Sequence, residues 1–206
     1  MFITIEGTEG CGKTTLAREI HAALSREHPN VVITREPGWG PVGKCLRELL
    51  LDDKNLELDP FAELCLFCAD RAEHVRSLIR PSLDGGQIVI CDRFSDSTVA
   101  YQGYGRGLDL ALVKKLAWEA ALDTVPGVTI LLDLPIEQGL ERINGREGRT
   151  KIDDEGVRFH ARVRKGYLEI ASAEPKRVRR VDASRNIEEV AEEALSIVTK
   201  ELAHSK

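Results

Sequence analysis

The sequence predicts an α/β fold of three layers, a central parallel sheet covered on both faces by helices. Three observations lead there. Short apolar runs alternate with segments of helical period along the whole chain, the pattern of a doubly wound sheet. Two of the runs, "GGQIVICDR" (85–93) and "GVTILLDL" (127–134), are apolar at successive residues, as in strands buried on both faces. A glycine-rich loop, "GTEGCGKT", joins the first predicted strand to the first predicted helix.

Each element has its own signal. "FITIE" (2–6) is a strand, and Leu16, Ile20, Ala23 and Leu24 follow at helical spacing. "NVVITREPG" (30–38) is a second strand that ends in a turn, and a helix covers 41–51. Asp59 and Pro60 form an N-cap and first-turn pair. From them an apolar stripe through Phe61, Cys65, Cys68, Ala72, Val75 and Ile79 predicts a core-facing helix that stops near Pro81. The strand at 85–93 leads to "YQGYGRGLD" (101–109), a glycine-punctuated loop before a helix over 109–122. After the strand at 127–134 come a helix at 136–143, the polar stretch "NGREGRTK", an amphipathic helix at 153–172 and the strand "RVRRVDA" (177–183). Ile187, Val190, Ala191, Ala194, Leu195, Val198 and Leu202 make one stripe of a last helix. The 206 residues show no repeat and no low-complexity linker, and read as a single domain, 1–206.

Composition narrows the function. A formal net charge of −5 disfavours binding to a nucleic-acid backbone, which needs a basic face. No run reaches the roughly 18–20 apolar residues of a membrane helix, and the first residues do not read as a signal peptide. Five cysteines are an odd count, which favours reduced thiols and a cytoplasmic setting. Cys65 and Cys68 form a CxxC without a second pair and read as core packing.

"GTEGCGKT" fits the phosphate-binding pattern GxxxxGK[ST] between a strand and a helix. Its backbone N–H groups, from Gly7, Thr8, Glu9, Gly10, Cys11 and Gly12 through Lys13, Thr14 and Thr15, would wrap a nucleoside triphosphate. Lys13 would reach the β- and γ-phosphates, and the Thr14 hydroxyl would ligate Mg²⁺. "TKID" (150–153) resembles a guanine-reading motif, but it follows polar residues instead of a buried strand and is read as coincidence.

Further stretches point to a second ligand. "IVICDR" delivers Asp92 and Arg93 to the C-terminal end of a strand, where open α/β sheets place ligands. "TREPG" delivers Arg35 and Glu36 in the same way. Phe67 and Arg71, four apart, share a helix face and together offer a stacking ring and a hydrogen-bonding fork.

With these residues in view, the chain resembles the thymidylate kinases of bacterial type, a family of P-loop nucleoside monophosphate kinases. The resemblance rests on "IEGTEGCGKTT", "TREPG", "LFCADRAEHV", "CDRFSDSTVAYQGYGRG", "LLDLP" and "RVRKGYLEIA", in the family's order and spacing over nearly the whole chain. It implies a P-loop kinase fold with a short mobile lid at about 144–152, and phosphorylation of dTMP to dTDP by Mg-ATP. Phe67 would stack on thymine, Arg71 would bond its exocyclic oxygen, and Thr98 and Gln102 would face its N3 edge. Arg93, with Arg35, would hold the monophosphate, and Ser97 belongs to the same acceptor-binding set. Tyr101 would fill the space of a ribose 2′-hydroxyl. Glu9 would accept from the sugar 3′-hydroxyl, and Arg142 would lie against adenine. Asp92 would orient Arg93 or a magnesium-bound water. Gly10 stands where related kinases carry a catalytic arginine, so lid residues Arg146 and Arg149 would supply that charge. A homodimer is also implied.

Three positions depart from the family pattern. Trp39 replaces a glycine in "REPGW", Lys151 replaces a common lid arginine, and His160 replaces a more usual aromatic, a change read as one of packing. A kinase for another small acceptor and a P-loop switch are the competing readings. The first would need a different base-reading set, and the second a guanine-reading motif.

Overall fold

The computed structural model describes residues 1–145 and 148–204. Five parallel strands form one sheet in the order β2-β3-β1-β4-β5. They are β1 (Phe2–Gly7), β2 (Val31–Arg35), β3 (Ile88–Asp92), β4 (Val128–Asp133) and β5 (Val178–Asp182). β1, β3 and β4 are buried along their whole length, which is why their sequences run apolar without alternation. β1 lies between β3 and β4, so the chain reverses direction across the sheet beside it and opens a crevice at its C-terminal end.

Nine α-helices flank the sheet among the described residues: α1 (Lys13–Leu24), α2 (Gly40–Arg47), α3 (Pro60–His74), α4 (Arg80–Asp84), α5 (Ser95–Thr98), α6 (Leu110–Ala120), α7 (Ile136–Ile143), α8 (Val157–Ala173) and α9 (Ile187–His204). On one face, Leu16, Ile20 and Leu24 of α1 pack with Val190, Ala194 and Val198 of α9 against Ile3, Ile5 and Ile130. On the other, Leu64, Tyr101, Val113, Phe159, Val163 and Tyr167 pack around Leu131. No described helix is long and apolar enough to cross a membrane.

Three expectations are corrected. The helix does not stop at Pro81: one helical run spans 60–84, through a wider π turn at Val75–Ile79. Such a turn opens the backbone just ahead of the proline ring, where an α-turn would bring ring and carbonyl together. The expected loop at 101–109 is helical as far as Gly105, continuing α5 as a π segment, Val99–Gly105. Its glycines serve close approach: a Cβ on Gly103 would stand 2.6 Å from Leu110 Cδ2, and one on Gly105 2.8 Å from Phe159 Cε2.

The third correction concerns the stripe on α3. Phe61 and Cys65 are exposed, while Cys68 is half-buried against the core, so only the second cysteine of the CxxC packs there. The buried face carries Glu63, Leu64, Asp70, Arg71 and His74. Helical period alone names two faces, and here the inward one is taken by polar side chains that find partners inside.

Candidate active site

The glycine loop between β1 and α1 follows from backbone sterics. Gly10 and Gly12 take positive φ values of 72° and 94°, open to glycine without strain. Gly12 stands at the N-cap of α1, where no side chain caps the helix, so the first-turn N–H groups are free for an anion. The loop rests directly on α7, and a Cβ on Gly139 would lie 2.5 Å from the Glu9 carbonyl. Lys13 is folded back into the loop, its Nζ donating to the Thr8 carbonyl at 2.6 Å. Thr14 Oγ1 donates to Asp92 Oδ2 at 2.5 Å. This hydroxyl and carboxylate, two hard oxygen donors beside a phosphate loop, fit a magnesium site. Asp92 pairs with Thr14, and no Asp92–Arg93 ion pair occurs among the described residues.

One cleft collects the loop and nearly all predicted acceptor residues: Glu9, Gly10, Lys13, Thr14, Arg35, Phe67, Arg71, Asp92, Arg93, Ser97, Thr98, Tyr101 and Gln102 all line it. Two other hollows lie elsewhere, one against Trp118 and Lys114, but neither touches the glycine loop.

At one end of the cleft Arg71 is only 2% exposed. Its Nε donates to Glu36 Oε2 at 2.9 Å and its Nη1 to Thr98 Oγ1 at 2.7 Å. His74 Nδ1 lies 3.0 Å from Glu36 Oε1, and its Nε2 lies 2.8 Å from Thr34 Oγ1. The carboxylate partner calls for a proton on Nδ1, and in the neutral ring Nε2 then accepts from threonine. Trp39 stacks on His74 with ring centroids 5.5 Å apart. The altered turn therefore touches this network through His74. Gln102 Nε2 donates to Glu63 Oε1 at 2.8 Å.

At the centre, Arg93 has a φ of 73°, a sparsely populated conformation that clusters at functional sites. Its Nη2 donates to Glu9 Oε1 at 2.8 Å, and its Nη1 to the Gly7 carbonyl at 3.0 Å and to Ser97 and Tyr167 at 3.2 Å. Tyr101 donates to the same Glu9 oxygen at 2.6 Å. Burial pushes the Glu9 carboxyl up, but Arg93, His160, Lys13 and Tyr101 outweigh it and hold the group at about 2. Glu9 is therefore an anion in the cleft, fixed by a cation.

Three residues in or beside the cleft escaped the sequence reading. Arg47, on α2, lines the cleft beside Arg35 and donates to the Pro37 carbonyl at 3.1 Å. In sequence it is one more arginine on an amphipathic helix, with nothing to set it apart. Glu6 is fully buried and accepts from Phe94 N at 2.7 Å, Ser97 Oγ at 2.6 Å and Tyr167 OH at 2.9 Å, bracing the floor under Arg93. Its signal was available: a carboxylate inside an apolar strand. His160 is buried against Glu9 and not merely packed, which corrects the packing expectation.

The segment expected to form a lid, about 144–152, is described except at 146 and 147. Arg146 lies outside the described residues. Arg149 pairs with Asp154 Oδ1 at 2.9 Å and donates to the Asp153 carbonyl at 3.0 Å. Lys151 donates to the carbonyls of Leu49 and Leu56 at 2.8 and 2.9 Å. "TKID" closes on itself, Thr150 N and Oγ1 both donating to Asp153 Oδ2. Arg142, on α7, reaches toward the Gly10 and Ala183 carbonyls at 3.4 Å.

A five-stranded parallel sheet, a phosphate loop after β1 and a second polar pocket in the same cleft define a P-loop phosphotransferase. The comparisons make this specific. The family described as thymidylate kinase matches residues 5–194. A thymidylate kinase of Syntrophotalea carbinolica is 47% identical over 92% of this chain and 90% of its own length. One of Solidesulfovibrio magneticus is 46% identical over 97% and 99%. The crystal structure of thymidylate kinase from Ehrlichia chaffeensis superposes with a TM-score of 0.80 at 37% identity, covering 97% of this chain and 98% of that one. The chain belongs to the thymidylate kinase family.

Proposed function

We propose that this protein transfers the γ-phosphoryl group of ATP to dTMP, giving ADP and dTDP, by direct in-line displacement. The observation that carries the reading is the single cleft. Lys13 and Thr14 stand at one end of it, Arg71 and Phe67 at the other, and Glu9 joins them through Arg93 and Tyr101.

The acceptor is itself a phosphate, largely dianionic near neutral pH because its second pKa is about 6. It needs no general base, and the task is to bring two polyanions into line. The loop N–H groups of Gly7 to Thr15 and the Lys13 ammonium hold the triphosphate, and Arg142 lies along the adenine. Thr14, with Asp92 acting through water, would hold Mg²⁺, which when bound neutralises charge on the phosphates. Arg93, Arg35 and Arg47 receive the acceptor phosphate. For Arg93 this is an exchange of partners, from the Glu9 carboxylate to the phosphate. Glu9 then turns to the 3′-hydroxyl. Phe67 stacks on the base, Arg71, Thr98 and Gln102 read its edge, and Tyr101 excludes a 2′-hydroxyl. Ser97 holds Arg93 in place.

A lid over about 144–152 brings Arg146 and Arg149 to the transferring phosphoryl, which requires Arg149 to leave Asp154. The resemblance supports a cytoplasmic homodimer built from one domain per chain, and the exposed Phe61 and Cys65 on α3 suit a covered face.

The test is ADP formation from Mg-ATP against dTMP, dUMP, dCMP, dGMP, dAMP and UMP. Preference for dTMP is expected, lost in Arg71→Ala while ATP still binds. ATP turnover indifferent to the acceptor would leave a P-loop ATPase in its place.

A further inference from the structure

Three buried polar atoms without a hydrogen bond meet beside the cleft. His160 on α8 is 1% exposed, and neither of its ring nitrogens makes a hydrogen bond. Its Nδ1 lies 3.2 Å from Glu9 Oε2, close enough to attract but too poorly aligned to bond. Glu9 Oε2 is likewise unpartnered. Buried groups of this kind are few in folded proteins, and each asks for an explanation.

The explanation lies in the two oxygens of Glu9. Oε1 accepts from both Arg93 and Tyr101, so in this arrangement it is saturated. Once Arg93 turns to a phosphate, the carboxylate loses its strongest partner inside a buried site, where an uncompensated charge is costly. The nearest unused donor is His160. We infer that His160 is a positioning residue for Glu9: it takes over the carboxylate when the acceptor phosphate draws Arg93 away, and holds it charged toward the sugar 3′-hydroxyl. The inference rests on the acceptor reading above. α8 is suited to the task, because Tyr167, two turns further on, already reaches Arg93 at 3.2 Å. One helix thus touches both members of the Arg93–Glu9 pair. His160 packs edge-on to Phe159 at 5.5 Å, a contact that a phenyl ring at this position can also make.

The experiment compares His160→Phe, which keeps the ring, with His160→Asn, whose amide nitrogen falls near Nδ1. Each is titrated calorimetrically with dTMP and with its 3′-deoxy counterpart, and assayed with Mg-ATP. His160→Phe is expected to weaken dTMP binding about tenfold, the loss of one charge-assisted hydrogen bond. It should leave the 3′-deoxy acceptor and the KM for ATP within about twofold. His160→Asn should recover most of the difference. Unchanged dTMP binding in His160→Phe overturns the inference, as does an equal loss for both acceptors, the mark of a packing defect. A parent chain that prefers dTMP while the Phe variant matches it sinks His160 alone. A parent indifferent to the acceptor sinks the reading beneath it.

Discussion

At the scale of single residues, the site is a set of charges buried in pairs, and pairing decides what each substitution costs. Arg71 and Glu36 are both almost fully buried and meet at 2.9 Å. Removing one member strands the other, so Arg71→Ala is expected to cost about 3–5 kcal/mol, read as a lower urea midpoint in addition to its loss of dTMP. Two carboxylates give the chain an opposed pH response. Glu9 is held at about 2, below its ordinary 4.5, so its stabilising contribution is complete above 4.5 and is lost as the pH falls through 2. Glu6 is displaced the other way. Burial first, then the Asp96 charge, raise it to about 7 against Ser97, Arg93 and Phe94. The folded chain then keeps a proton that the unfolded chain releases, and stability declines as the pH rises from 4.5 to 7. Unfolding midpoints measured across that interval should decline less in Glu6→Gln than in the parent. A parallel decline in both would show that Glu6 is not the source. Arg71 was legible beforehand because its helix spacing to Phe67 and its motif are local. Arg47 and His160 were not, because nothing near them in sequence reveals a partner that is distant in the chain.

At the scale of elements, the site depends on backbones that touch. The glycine loop lies on the first turns of α7, with the Gly10 and Gly139 backbones too close for a side chain on either. Gly139→Ala must push the Glu9–Gly10 peptide away, and it is expected to raise the KM for ATP severalfold with a loss of about 1–3 kcal/mol in stability. The continuation of α5 to Gly105 meets α6 and α8 in the same manner. Gly105→Ala should cost a similar amount by driving Phe159 and Val163 apart, while the KM for ATP stays near that of the parent. Glycine in "YQGYGRG" was readable as a break in structure, and here it is a contact. Propensity measures the isolated backbone, and close packing of neighbouring helices overrides it.

At the scale of the molecule, sheet order brings the two ligands together. β1 sits between β3 and β4, so the loop after β1 and the Asp92–Arg93 end of β3 open into one crevice. An acceptor that holds this crevice binds the folded chain and not the unfolded one. At a hundred times its Kd, dTMP should therefore add about 2.7 kcal/mol to unfolding stability, detectable as a raised thermal midpoint that UMP at the same concentration does not match. Sedimentation at micromolar concentration should show twice the chain mass. Single-chain mass would rule out the homodimer.

The sequence alone determined the layer architecture, the strand–helix alternation and the phosphate loop, while the acceptor motifs were legible only through their resemblance to a family. The architecture, the alternation and the loop are written in short-range patterns: runs of apolar residues, helical period, and glycines at set spacing. Only the tertiary structure decided which face of α3 turns inward, that Arg47 and Glu6 join the cleft, and that His160 stands 3.2 Å from Glu9 without a hydrogen bond. Each of these depends on a contact between residues far apart in the chain, and burial without a partner becomes visible only when the neighbours are in place.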